Sequence, residues 1–248
     1  MTLKDFFDDN PKAAIAFSGG ADSAYLLYAA KHCGADVTAY YVKSAFQPQF
    51  ELDDAKRLAE QLSANLRVLP LDILAEADVA ANPADRCYYC KKRIFSAIAA
   101  AAAADGYTLL LDGTNASDDA GDRPGMRALA ELSVRSPLRA CGLTKAEIRR
   151  LSREAGLFTW NKPAYACLAT RVPAGEPLTL EKLQNTEHAE DYLFSLGFTD
   201  FRVRMAGTAA KLQLPENQMP KLLAHRAEIL NELKKTYSAV VLDLEVRT

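Results

Sequence analysis

Several features are scarce in this 248-residue sequence, and each scarcity excludes a class of protein. No apolar run approaches the roughly 18 uninterrupted residues of a membrane-spanning helix, so no span is expected. Residues 1–10 carry three Asp and one Lys and lack the basic-then-apolar order of a secretory signal. The chain is therefore expected to stay in the cytoplasm, where thiols remain reduced. Positive charge is not in surplus: 30 Lys and Arg face 32 Asp and Glu, a net charge of -2. That balance argues against a long nucleic acid as partner, because such partners demand a basic excess. His32, His188 and His225 are scattered, at no metal-ligand spacing. There is no internal repeat.

What is present is an ordinary globular composition, 49% hydrophobic and 25% charged. The first part alternates short apolar runs with helical patterns. Strands are expected at 13–17, 37–42, 66–71 and 107–111, with helices at about 21–33, 50–63 and 85–104. That order is the signature of an α/β fold with a doubly wound parallel sheet. The alanine-rich stretch 99–104 is read as helix because alanine has the highest helix propensity. Thr144-Lys145-Ala146-Glu147 has the capping-box pattern and starts a helix that runs to about residue 155. Pro163, Pro173 and Pro177 mark a boundary region. Beyond it the order becomes helix (180–196), strand (201–205), strand (211–214), helix (218–237), strand (239–246). The expectation is a first domain over 1–172 and a small α+β domain with an antiparallel sheet over 173–248.

The hexapeptide Ser18-Gly19-Gly20-Ala21-Asp22-Ser23 sits between a strand and a helix, where an anion site is easiest to build. Gly19 and Gly20 permit positive φ and close backbone approach. The helix that follows offers unpaired N–H groups and the positive end of its dipole. Ser18 and Ser23 add hydroxyl donors, and Asp22 suits a Mg²⁺ that bridges phosphates. No lysine follows the glycines in Walker A order, so this is a different nucleotide loop.

Of the five cysteines, Cys33 and Cys141 read as packing residues. Cys87 and Cys90 share a Cys-x-x-Cys spacing near a helix start, so both thiols project from one face. Arg86, Lys91 and the helix terminus favour their thiolates, as Arg171 does for Cys167. Three thiolates hold an iron–sulfur cluster with one iron left open, while Cys167 alone suits a nucleophile. A four-ligand zinc site lacks its fourth ligand.

The loop SGGADS resembles the PP-loop of the ATP-pyrophosphatases. Further blocks narrow the likeness: RCYYCKKRIF, DGTNASDD, the stretch from Arg135-Ser136-Pro137-Leu138 to Ile148-Arg149, ACLATRVP at 166–173, and Phe201-Arg202-Val203-Arg204. Together they are similar to LarE, the ATP-dependent sulfur transferase family of nickel-pincer nucleotide cofactor synthesis. The resemblance implies an adenine nucleotide alpha-hydrolase-like sheet that uses ATP and Mg²⁺ to adenylate a carboxylate of a pyridinium mononucleotide. Sulfur then captures the acyl group. Some members sacrifice the sulfur of one cysteine, matched here by Cys167, and are left with dehydroalanine. Others carry three cysteines and a [4Fe-4S] cluster that presents sulfide, and the pattern Cys87, Cys90, Cys167 favours that version.

By the same resemblance Cys167, Asp22 and Glu190 are catalytic, and Arg202 and Arg204 take the substrate's phosphate. Ser18, Gly19, Gly20, Asp22 and Ser23 hold ATP. Gly113, Thr114 and Asn115 join them, since the turn at 112–115 ends a strand on the edge where ligands of open sheets collect. Asp118 and Asp119 are weaker candidates for Mg²⁺, and Tyr88-Tyr89 for stacking, with packing the simpler account. The run Met205-Ala206-Gly207-Thr208 departs from the more polar, His-containing run usual in the family. The expected partners are a small-molecule nucleotide, sulfide or another sulfur donor, and further copies of the chain in a homo-oligomer, with the second domain serving substrate binding or assembly. A tRNA thiolase would need a basic surface, and an ammonia-dependent synthetase would leave the three cysteines unexplained. A regulatory AMP-binding module would release no pyrophosphate.

Overall fold

The computed structural model describes residues 1–118 and 124–247. Two compact units emerge, residues 1–73 with 85–162, and residues 74–84 with 163–248. The units divide at 162/163, within the proline-marked region near 160–178, and Cys167 belongs to the second unit.

The first unit runs α1 (Leu3–Asp9), β1 (Lys12–Ala16), α2 (Ala21–His32), β2 (Asp36–Lys43), α3 (Gln49–Gln61) and β3 (Asn65–Pro70). After an excursion containing α4 (Ala77–Ala80), it resumes with α5 (Arg86–Ala104), β4 (Leu110–Leu111), α6 (Pro124–Glu131), α7 (Pro137–Ala140) and α8 (Lys145–Glu154). The strands lie in the order β3-β2-β1-β4, every pair parallel. Successive strand side chains point to opposite faces. Accordingly Ala13, Ile15, Val37 and Tyr41 pack into one core with Leu26, Leu27 and Leu58. Ala14, Tyr40 and Val42 pack into another with Phe95 and Ile98 of α5. Helices therefore cover both faces, which is why β1 needs the apolar run Ala13-Ala14-Ile15 and tolerates no alternation.

The chain moves outward from β1 through β2 to β3, then returns to place β4 on the other side of β1. The carboxyl ends of β1 and β4 thus flank a topological switch point. The fourth strand is shorter than the expected 107–111, because Tyr107 lies outside the ladder and bonds through its hydroxyl to Thr38 at 2.8 Å.

The second unit contains α9 (Leu180–Ser195), β5 (Arg202–Ala206), β6 (Ala209–Gln213), α10 (Met219–Ala224), α11 (Arg226–Leu233) and β7 (Val240–Leu242). Its sheet is mixed, not antiparallel: β5 pairs antiparallel with β6, and β6 pairs parallel with β7. A tight turn at Gly207-Thr208 makes a hairpin, whereas the helical return to β7 is a crossover, and a crossover brings the next strand in parallel. The helix expected over 218–237 breaks at His225, whose ring contacts Glu228 at the start of α11. The last strand stops at Leu242 because the Asp243 carboxylate turns back to accept from Gln213 and the backbone of Glu245. Segment 74–84 is held by Asn82, which is fully buried with φ +55°, a left-handed backbone that asparagine tolerates. Its amide donates to the carbonyls of Pro173 at 2.7 Å and Glu176 at 3.0 Å.

No helix among the described residues is long and apolar enough to cross a membrane. Leu58 is fully buried between α3 and the sheet. Leu58→Ala is expected to cost about 2–5 kcal/mol, read from the shift of the urea unfolding midpoint.

Candidate active site

The loop between β1 and α2 sits at the switch point. Gly19 takes φ +73°, which favours glycine, and a Cβ there would also make tight 3.3 Å contacts with Ala55 Cβ and the Glu51 carbonyl of α3. Ser23 is buried, and its hydroxyl closes the loop: it donates to the Gly20 carbonyl at 3.2 Å and accepts from the Ser18 amide at 3.3 Å. Ser18 is exposed, with its hydroxyl 3.1 Å from that of Ser23. Gly20 is the N-cap of α2 and supplies no side-chain cap, which leaves the first N–H groups of the helix open to an anion.

The turn after β4 packs directly against that helix start. A Cβ on Gly113 would stand 2.9 Å from the Ser23 amide nitrogen, closer than any real Cβ approaches. Asp112 accepts from the Ser136 hydroxyl at 2.6 Å and from that of Thr114. Asn115 is buried and builds the turn, its side chain accepting from the Ser117 amide while its own amide donates to Asp118, both at 2.8 Å. Asp118 is thereby committed to the turn, and Asp119 lies outside the described residues. The turn also ties to α8: Ala116 donates to the Leu143 carbonyl at 2.8 Å and the Lys145 amide donates to the Ser117 hydroxyl at 3.0 Å. This brings the Lys145 ammonium to 2.5 Å from Asp22 Oδ2. The other oxygen, Oδ1, is buried and has no hydrogen-bond partner.

In the second unit Cys167 precedes a short 3₁₀ turn, Leu168–Arg171. Arg171, 1% exposed, forms a two-pronged pair with Glu190, also 1% exposed, with Nε 2.9 Å from Oε1 and Nη2 3.1 Å from Oε2. Glu190 accepts in addition from the Val203 amide at 2.9 Å and from the Tyr165 hydroxyl. Both of its oxygens are thus occupied. Burial works against the Arg171 charge, and the pairing with Glu190 outweighs it, so the guanidinium pKa is raised.

The remaining donors of Arg171 hold the cysteine loop, with Nη1 2.8 Å from the Ala166 carbonyl and 2.8 Å from the Thr170 hydroxyl. Arg202 donates to the carbonyls of Ala164 and Phe201, and Arg204 to that of Thr170 at 2.8 Å. Three guanidinium groups therefore grip one loop. Burial, then the neighbouring Arg171 and Arg247, pushes the pKa of Arg202 and Arg204 down.

A family model described as queuosine biosynthesis protein QueC matches residues 12–87, the part that contains the glycine loop. The chain is 36% identical to a pyridinium-3,5-bisthiocarboxylic acid mononucleotide synthase of Lactiplantibacillus plantarum, over 98% of this chain and 89% of that one. The chain belongs to the LarE family. An uncharacterized protein of Synechocystis is likewise 36% identical, over 98% of this chain and 92% of its own length. One of Methanocaldococcus jannaschii is 28% identical, over 98% and 93%.

For a LarE chain the sequence readings fall into three groups. The loop at 18–23 and the turn at 112–115 meet at the switch point. Cys33 and Cys141 are partly buried, and burial pushes both thiols up, in keeping with packing roles. Cys87 and Cys90 share the first turns of α5, Cys87 exposed and Cys90 half-buried. Among the described residues no three His, Cys, Asp or Glu side chains are grouped to hold a metal ion. Tyr88 packs in the α5–α6 contact, with the Arg127 guanidinium 4.0 Å from its ring centre and its hydroxyl 2.8 Å from Glu131. Lys145 and Tyr165 escaped the reading of the sequence. Lys145 looked like a helix-start residue, and Tyr165 carries no local signal at all.

Glu190→Gln removes a buried charge and strands Arg171. Urea unfolding is expected to show a loss of about 3–5 kcal/mol, and a change below about 1 kcal/mol would deny the pair its anchoring role. Thiolates, not thiols, react with iodoacetamide. At neutral pH Cys87 is expected to label first and Cys33 and Cys141 last, with the latter two accelerating as pH rises toward their raised pKa, followed by peptide mass spectrometry.

Proposed function

We propose that this LarE-family chain adenylates a carboxylate of a pyridinium dicarboxylate mononucleotide at the 18–23 loop and transfers sulfur to it through Cys167. The observation that carries the reading is the Cys167 loop, clamped at Ala164, Ala166 and Thr170 by Arg202, Arg171 and Arg204. The product named for the Lactiplantibacillus relative, a bisthiocarboxylic acid mononucleotide, supplies the substrate class. The chemistry begins when a carboxylate oxygen bonds to the α-phosphorus as the bond to the bridging oxygen breaks, and pyrophosphate leaves with the electron pair. Open N–H groups of α2 stabilise that charge. The sulfur nucleophile then bonds to the acyl carbon, and AMP departs.

The unpartnered Asp22 Oδ1 fits a Mg²⁺, which would supply further charge neutralisation at the phosphates. Four guanidinium groups (Arg171, Arg202, Arg204 and Arg247) gather in the second unit around Glu190 and Asp200. This positive excess supports Arg202 and Arg204 as ligands of the substrate phosphate. Glu190 acts in this reading by positioning Arg171. The Cys-x-x-Cys spacing of Cys87 and Cys90, together with Cys167, is the sequence pattern that supports a [4Fe-4S] cluster, which would supply the transferred sulfide. The net charge of -2 supports a small substrate in the cytoplasm in preference to tRNA.

Anaerobic purification with iron and sulfide analysis tests the sulfur half. The expected result is a coloured protein with matched iron and sulfide, and sulfur transfer that is lost in Cys87→Ser. A colourless, iron-free protein whose Cys167 peptide loses the mass of H₂S after turnover would remove the cluster. It would also assign the sulfur to Cys167 itself, through breakage of its Cβ–S bond and loss of the Cα proton.

A further inference from the structure

We propose that Lys145 is a further catalytic residue, an ammonium group that engages the pyrophosphate leaving from ATP. The inference rests on the reading of the 18–23 loop as the ATP site. A phosphate loop without its own lysine draws its compensating cation from elsewhere in the fold, and Lys145 stands at this one. Its backbone is fixed by the Thr144 N-cap, whose side chain accepts from Glu147, and by the bond from its own amide to Ser117. Its side chain, 36% exposed, crosses to Asp22 in the first turn of α2, the turn whose N–H groups have no side-chain cap.

The Asp22–Lys145 pair is incomplete by itself. Lys145 takes Oδ2 and leaves Oδ1 buried and unbonded, an unfavourable state for a carboxylate oxygen. The arrangement is that of an open site, in which phosphates and their counter-ion finish the charge pairing. With ATP seated on α2, Asp22 repels the phosphates, and the ammonium beside it turns its N–H donors from the carboxylate to the β and γ oxygens. As the α-phosphorus bonds to the substrate oxygen, the electron pair of the broken bond passes to pyrophosphate. Lys145 transfers no proton in this step and neutralises that growing charge.

The test compares the wild-type chain with Lys145→Ala, Lys145→Met and Lys145→Arg. Calorimetry reads the affinity for ATP and for AMP in the presence of Mg²⁺, and a coupled assay reads pyrophosphate release with the pyridinium dicarboxylate mononucleotide. Loss of one charged donor to the leaving group is expected to lower kcat about a hundredfold and ATP affinity about tenfold. AMP lacks the β and γ phosphates, so its affinity should stay within about twofold, and Lys145→Arg should recover part of the rate. Equal weakening of ATP and AMP would mean that Lys145 only shapes the loop, and unchanged turnover would also overturn the proposal. Should Lys145→Ala fail to fold, Lys145→Met retains the apolar stem and carries the same comparison. A wild-type chain that neither binds ATP nor releases pyrophosphate would overturn the ATP-site reading itself, and this inference with it.

Discussion

A parallel sheet covered by helices on both faces has only its strand ends left for chemistry, and that constraint governs the first unit. Ala13, Ala14 and Ile15 are fully buried, so the middle of β1 offers no side chain to a ligand. What it offers is a direction. Because β1 and β4 are neighbours and their crossovers diverge, the turns leaving them meet at one edge. The contact is tight enough that Gly113 admits no Cβ against Ser23. The same turn fastens the start of α8, and that is how Lys145 reaches Asp22.

The second unit solves a different problem, the placing of one thiol on an irregular segment. Loops do not hold side chains by ladder hydrogen bonds, so the carbonyls at 164–170 are taken by Arg171, Arg202 and Arg204 instead. Guanidinium suits this work, since its planar fork satisfies several acceptors at once. The cost is buried positive charge, and Glu190 offsets it where Arg171 is driest. A positive excess remains.

Much of this was legible in the residues. The α/β order follows from apolar runs separated by amphipathic helices, and the glycine loop from its place between β1 and α2. These are local signals carried within about a dozen residues. Errors arose where pairing partners are remote. The small sheet was read as antiparallel, because a strand's own sequence does not encode the direction of its neighbour, and β7 lies parallel to β6. The prolines mark a boundary region near 160–178, and contact packing divides the units at 162/163 within it, while the membership of the distant segment 74–84 in the second unit has no local signal.

The sequence by itself determined the family and set out the candidate groups: a glycine loop with Asp22, three cysteines beside cations, and two arginines on one strand face. Each depends on short-range spacing, which survives without a fold. Only the tertiary structure decided which of these groups are free and which are engaged. It joined Glu190 to Arg171 across 19 positions and Lys145 to Asp22 across 123. A carboxylate's role follows from the partner it meets in space, and chain separation of that size leaves no periodic trace from which the meeting is read.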